Sequence, residues 1–291
     1  MIQLQQQTQA HYDHYPFIEG GSNRVAWWRE YLRDFLPDDL IRDRLMIDVG
    51  SSVGEVTRGL ADRGARMVCL DLSRQSLMRC REINPEADIY NGSALDLPFM
   101  DATFDHAISI GVLHHTPDCR KGFKEVARVL APGGTFVVFL YNWWSIYNPI
   151  YHAFWPVRAV FPLERVPKFF VRLMQPFAKA HLGQTLDDGQ LRRLLGDKLW
   201  TPQATFHSVR QIRQWGVEEG LSFVANKKFF LGYANVMKFV KEGTPGTARR
   251  EVRIRCTRCG AGPMPRNDSG YQCGCGQVYP RAGAIFGCLS E

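Results

Sequence analysis

The chain opens MIQLQQQTQAHYDHY, with no basic stretch followed by an apolar run, so no secretory signal is expected. No run of ~18 uninterrupted apolar residues occurs, so no membrane-spanning helix is expected. Cysteine is sparse before residue 256: three of the eight lie there, and five crowd into 256–288. Clustered thiols in a chain without an export signal point to metal binding rather than disulfides, and to a cytoplasmic location by default. No internal repeat is present, which removes the solenoid architectures. Most of the chain also lacks any excess of positive charge. Residues 143–200 hold eight Lys and Arg against four Asp and Glu, and residues 244–291 hold seven against three. The remainder carries 21 against 22, so the net charge of +7 belongs to two segments. A basic patch attracts nucleic acid, anionic lipid or an acidic substrate; it also serves simply as a solubilising surface.

With 291 residues and 45% apolar composition the chain has enough core for one large domain and a small one. Residues 1–40 read as an N-terminal helical cap, with Trp27, Trp28, Tyr31, Leu32 and Phe35 at helical spacing. Strands and helices then alternate: strands at Leu45–Gly50, Arg66–Leu72, Asp88–Gly92, Phe104–Gly111 and Thr135–Tyr141, helices between them, and a turn at Ala131–Gly134. That alternation predicts an α/β, doubly wound Rossmann-like sheet over 41–243, its parallel strands buried on both faces. Residues 143–200 interrupt the rhythm with Trp, Tyr, Phe and Pro and read as a helical insert. A helix near 208–219 follows. Two further strands, Ser222–Phe230 and Tyr233–Lys241, are separated by Leu231-Gly232 and should pair as a hairpin, giving seven strands. Residues 243–250 read as a linker, and 244–291 as a small C-terminal zinc ribbon.

The segment IDVGSSVGEVTRGL places Asp48, Gly50, Ser51, Ser52 and Gly54 where the first strand turns into the first helix. A nucleotide-like ligand needs that turn tight and nearly free of side chains, so that backbone N–H groups approach it. Asp71 ends the second strand, next to Leu72, and an acid there accepts both ribose hydroxyls. Glycine turn plus acid also suits NAD. However, Asp48 at the head of the turn repels a pyrophosphate and suits the amino group of a methionine moiety.

Together the motifs IDVGSSVG, VCLDLS, NGSALDLPFMDATFDHAIS, GVLHHTPD and EVARVLAPGGTFVVFLY resemble the class I S-adenosylmethionine-dependent methyltransferases over about residues 40–240. The resemblance implies that Asp48, Gly50 and Gly54 hold the methionine part of S-adenosylmethionine and that Asp71 takes the ribose. Ser93 and Ala94 would flank the adenine, and Ile110 would pass beneath the methionine end. Two positions depart from the family pattern. Ser52 stands at the middle glycine of the turn, and Ser93 stands where Asp is usual.

The sulfonium methyl is already electrophilic, so the protein must mainly align an acceptor and exclude water. An acceptor hydroxyl or ammonium needs a base as well. His114 and His115, just past the fourth strand, are the candidates; His115 is favoured, with turn capping as the competing role. Tyr141 is a second pocket candidate, and Tyr12 and Tyr15 are candidate covers from the cap. The aromatic insert is expected to roof the acceptor pocket, which would suit a small-molecule acceptor that is bulky and apolar or aromatic. Packing among the outer helices and peripheral contact with a membrane surface are its other readings.

Cys256-x2-Cys259 and Cys273-x-Cys275 form two knuckles whose four thiolates suit structural Zn2+, with Cys288 an outside candidate for the fourth ligand. The tail IRCTRCGAGPMPRNDSGYQCGCGQVYPRAGAIF also resembles the small zinc-ribbon proteins that activate tRNA, rRNA and protein methyltransferases. That resemblance implies a bracing role. A methyltransferase acting on a small molecule is the leading expectation. The alternative is an RNA methyltransferase whose ribbon arginines, Arg249, Arg250, Arg253, Arg255 and Arg258, hold the nucleic acid. Against it, no Asn-Pro-Pro-Tyr-type signature follows the fourth strand.

Overall fold

The computed structural model describes residues 2–15, 21–182, 185–246, 250–283 and 285–288. Arg249 lies outside them. Five parallel strands form the centre: β1 (Leu45–Val49), β2 (Arg66–Asp71), β3 (Asp88–Asn91), β4 (Phe104–Ile110) and β5 (Leu130–Tyr141). β6 (Leu221–Phe229) and β7 (Ala234–Lys241) pair antiparallel and attach to β5. The ribbon adds β8 (Arg266–Asn267), β9 (Gly270–Gln272), β10 (Val278–Ala282) and β11 (Ile285–Gly287). The full order is β6-β7-β5-β4-β1-β2-β3-β11-β10-β9-β8.

Burial explains why the central strands read as unbroken apolar runs. All five residues of β1 are buried, and alternate residues supply opposite faces. Ile47 and Val49 join Val68, Leu70, Phe123 and Phe136 in one core layer, while Met46 joins Met67, Cys69 and Trp28 in the other. Helices cover both layers, and their starts are chemically marked. Ser73 caps the helix Arg74–Ile83 by accepting from the Ser76 N–H, and Asp118 caps Cys119–Val129 by accepting from the Lys121 N–H.

Three expectations change. The sheet does not end at seven strands: β11 pairs parallel with β3, Ile285 opposite Ile89 and Phe286 opposite Tyr90, extending the order to 11 strands. β11 is buried on both faces, since Ile285 joins one core layer and Phe286 the other. A three-residue strand carries no readable period, so this pairing left no trace in the sequence. The hairpin connection is also longer than a dipeptide: Phe230–Gly232 forms a 3-10 turn between Phe229 and Ala234, with Leu231 at φ 52°. Finally, β5 begins at Leu130 rather than Thr135, its register against β4 shifting between Phe104 and His106.

The insert is helical, from Tyr147–Ala153 to Asp188–Leu195, and ends in a π-helical turn, Gly196–Trp200. It has its own small core of Leu163, Val166, Val171, Leu191, Leu194 and neighbours. Among the described residues no helix is long and apolar enough to cross a membrane.

Candidate active site

One large cavity opens at the carboxyl ends of β1, β2, β4 and β5, the position where open parallel sheets bind ligands. Asp48, Gly50, Ser51, Ser52, Asp71, Leu72, Ser93, Ala94, Ile110, His115 and Tyr141 all line it. Gly54 and His114 do not. Gly54 instead starts the helix Glu55–Ala61 at φ 83°, where a Cβ would lie 2.3 Å from Asn84 Nδ2. Gly50, at φ 82°, has no room either: a Cβ there would lie 2.2 Å from Val112. Ser52 takes φ 50°, a left-handed conformation that usually calls for glycine.

Four of the five N–H groups of the turn at 50–54 are engaged within the protein. The Gly50 and Ser51 N–H groups donate to Leu70 O at 2.7 and 3.1 Å, and the Gly54 N–H donates to Ser51 O at 2.8 Å. The Ser52 N–H donates to Asp71 Oδ2 at 2.9 Å, while Asp71 Oδ1 accepts from the Ser73 N–H at 2.8 Å. Polar recognition therefore falls mainly to the two carboxylates. Asp48 is buried and accepts from Thr57 Oγ1 at 2.7 Å. Desolvation raises its pKa to about 7, with Asp71 adding repulsion and the Thr57 bond opposing. Desolvation also raises that of Asp71, against its hydrogen bonds from Ser73 and Ser52. Ser93 accepts from the Leu95 N–H at 3.1 Å, which shapes the loop after β3.

The other half of the cavity is aromatic and contains the candidate base. His115 Nδ1 lies 2.8 Å from Gln203 O. A carbonyl only accepts, so Nδ1 carries the proton. Nε2 is left buried as an acceptor without a protein partner among the described residues. Burial depresses the His115 pKa to about 4, against the pull of Asp197. His114 is fully buried, its ring centroid 3.7 Å from that of Tyr141 at a tilt of 33°, and is driven neutral by desolvation and by His115.

Sequence reasoning missed two ion pairs that line the cavity. Asp197 and Lys198 pair at 2.8 Å, and Lys198 Nζ sits 5.8 Å from the Tyr141 ring and 5.7 Å from that of Tyr233. Burial alone would lower the Lys198 pKa, but Asp197 more than reverses it, so the cation persists. Arg24 and Glu55 pair at 3.0 Å, both buried. Asp197 and Lys198 are neighbours in a segment far from every motif, and Glu55 lies in the turn motif, but its partner Arg24 comes from the N-terminal cap. The roof matches expectation in Tyr12 but not in the insert. Gln5, Thr8, Gln9 and Tyr12 of the helix Ile2–His14 cover the cavity, and of the described residues in 143–200 only Asp197 and Lys198 line it. Tyr15 is not among the lining residues.

In the tail, Cys256, Cys259, Cys273 and Cys275 bring their four Sγ atoms within 4.8 Å of one another. Tetrahedral thiolates ~2.3 Å from a zinc ion stand about 3.8 Å apart, so the cluster fits that metal. Cys288 lies elsewhere, its N–H donating to Asn91 O at 2.8 Å. Three of the ribbon's arginines face the sheet domain. Arg250 pairs with Asp105 at 3.0 Å, Arg255 with Asp96 at 2.7 Å and Glu125 at 3.2 Å, and Arg253 donates to Asp101 O at 2.8 Å. Their charge is spent on docking the ribbon, which weakens a nucleic-acid role; Arg258 is exposed.

Residues 47–138 match a family model described as a methyltransferase domain. The chain is 34% identical over 135 residues to an Oryza sativa 2-methyl-6-phytyl-1,4-hydroquinone methyltransferase, covering 44% of this chain and 36% of that one. It is 26% identical over 218 residues to demethylmenaquinone methyltransferase of Renibacterium salmoninarum, covering 74% and 81% respectively. The chain spans between 20% and 38% of the length of the first curated relatives it matches. An S-adenosylmethionine-dependent methyltransferase from Mesorhizobium loti superposes with a TM-score of 0.50 at 19% identity, covering 75% of this chain and 98% of that one. Residues 47–138 thus match a methyltransferase domain, and the chain has the fold of the S-adenosylmethionine-dependent methyltransferases.

Proposed function

We propose that the protein transfers a methyl group from S-adenosylmethionine to a small, apolar aromatic acceptor of the phenol or hydroquinone class. The observation that carries this reading is the division of a single cavity into a carboxylate-bearing half and an aromatic half with a buried base and a buried cation. Bound in the first half, the cofactor would supply an electrophilic sulfonium methyl. Asp48 would take its amino group, Asp71 its ribose hydroxyls, and Leu72, Ser93, Ala94 and Ile110 its adenine and methionine surfaces. In the second half, His115 Nε2 would accept the acceptor's hydroxyl proton. Lys198 would stabilise the oxyanion left behind, a larger effect in a dry cavity than in water. Phe139, Tyr141 and Tyr233 would hold the ring and exclude solvent. The relatives that act on phytyl hydroquinone and demethylmenaquinone support an acceptor of this kind. Incubation with labelled cofactor and a panel of alkylated hydroquinones, naphthoquinols and unmodified tRNA tests it. Label is expected in a quinol; label in tRNA alone would overturn the reading.

The ribbon is proposed to hold one Zn2+ on Cys256, Cys259, Cys273 and Cys275 and to brace the sheet. So small a module has little core, so the metal is its main source of folding energy. Chelation is expected to unfold residues 251–287 first. Because β11 pairs with β3, the loop Gly92–Ala94 then loses its flank, and affinity for S-adenosylhomocysteine should fall about tenfold, a loss of roughly 1.4 kcal/mol. A folded, unchelated sample containing no metal would refute the site. A chain truncated before Gly243 with undiminished stability and activity would show that the ribbon recruits a partner or substrate instead.

A further inference from the structure

The apolar surface of the insert is turned the wrong way for a solvated helical layer. Of 18 large apolar side chains exposed among the described residues, 12 lie in residues 143–173. Trp144 is 81% exposed, Ile146 79%, Val160 83% and Phe169 69%. Soluble proteins rarely leave so dense a patch uncovered. The exposure is not a failure to find a core, because the insert packs one of its own around Leu163, Val171 and Leu194.

Helical geometry explains the arrangement. The helices Tyr147–Ala153 and Trp155–Val160 run on through Phe154, whose N–H donates to Ile150 O at 3.1 Å and whose carbonyl accepts from the Arg158 N–H at 3.1 Å. Ile146, Ile150, Phe154, Val157 and Phe161 recur at helical intervals and are all exposed. The opposite face holds Tyr151 and Arg158, the guanidinium 4.3 Å from the Tyr151 ring centroid. The outward stripe of this helix is therefore apolar, where a surface helix usually presents polar groups, while its inner side packs Tyr151 into the core.

We infer that residues 143–173 form a docking surface for an anionic phospholipid bilayer. Charge selects this occupant. The segment holds four basic residues against one acidic one. Arg165 and Lys168 are exposed beside Phe169 and Phe170, and Lys179 is exposed further along. A second copy of the chain would set these cations against each other across a two-fold axis, and protein interface cores are depleted in Lys. A bilayer interface accepts both features, with aromatic rings at the headgroup level and Lys and Arg among the lipid phosphates. The same surface would place the cavity near a lipid-soluble acceptor, a consequence that rests on the proposed function, whereas the docking itself does not.

Flotation of the full-length protein with phosphatidylcholine vesicles, with and without phosphatidylglycerol, tests the inference. The protein is expected to float with the anionic vesicles, with a blue shift of tryptophan emission, and to be partly released by salt. Trp144→Glu combined with Phe169→Glu should lower the partition coefficient at least tenfold. Lys168→Gln should lower it about fivefold on anionic vesicles and leave any binding to neutral ones unchanged. S-adenosylhomocysteine affinity in solution should stay normal in both variants, which separates loss of docking from loss of fold or of catalytic function. Wild-type protein that remains with the pellet at low salt overturns the inference, as does equal flotation of wild type and double variant. A wild-type dimer that does not float and that the double variant converts to monomer would assign the face to self-association instead.

Discussion

Affinity for S-adenosylhomocysteine is expected to fall about fiftyfold between pH 7 and pH 5, because Asp48 titrates near pH 7 in the ligand-free protein. The proposed contact is with a cationic amino group, so only the ionised carboxylate serves it. Affinity is then full above the pKa and declines tenfold per unit below it. The same burial acts on stability with the opposite sign. The folded pKa, about 7, stands above the ordinary value of 3.8, so the native state holds a proton that the unfolded chain has lost. Stability therefore decreases as pH rises through that window, and the cost is complete above pH 7, on the order of 4 kcal/mol. Asp48→Asn keeps an acceptor for Thr57 and removes the buried charge. It should raise the Tm of the ligand-free protein at pH 8 while abolishing the shift that ligand produces. Titration calorimetry across pH, on wild type and variant, checks both halves. A pH-independent wild-type affinity would remove Asp48 from the cofactor contact.

His115→Ala is expected to lower kcat on the order of a hundredfold, about 2.7 kcal/mol of transition-state stabilisation, with S-adenosylhomocysteine affinity unchanged. The proposed role rests on geometry before it rests on the pKa. Nδ1 is committed to Gln203 O, and Nε2 is buried without a protein partner among the described residues, on a side chain that lines the cavity. Since burial holds the pKa near 4, the imidazole stays neutral through the physiological range, and the His115-dependent part of the rate should decline only as pH approaches 4. Steady-state kinetics with a quinol acceptor would decide it. Near-normal turnover would leave His115 as a turn-stabilising residue and favour an acceptor that is already nucleophilic.

The sequence by itself determined the order of strands and helices, the tight turn after β1, the acid ending β2 and the four-cysteine cluster. Each is a local matter: apolar runs of strand length, a Gly-Ser-Ser-Val-Gly turn, knuckle spacing. It also located the positive charge, without saying how that charge is spent. Only the tertiary structure decided that Arg250, Arg253 and Arg255 dock the ribbon against Asp105, Asp101, Asp96 and Glu125. It likewise decided that β11 becomes an internal strand. Three residues cannot declare a period, and the partner that buries Ile285 and Phe286 lies almost 200 residues away. Tyr12 was legible as a candidate cover, but its meeting with Lys198 was hidden for a related reason. Tyr12 and Lys198 come from opposite ends of the chain's helical segments and meet only over the finished sheet. Aromatic density in residues 143–173 suggested a pocket lining, because composition records how apolar a segment is and not which way it faces. Orientation follows from the helical phase of Ile146 to Phe161 against the insert's own core, and that phase exists only once the chain has folded.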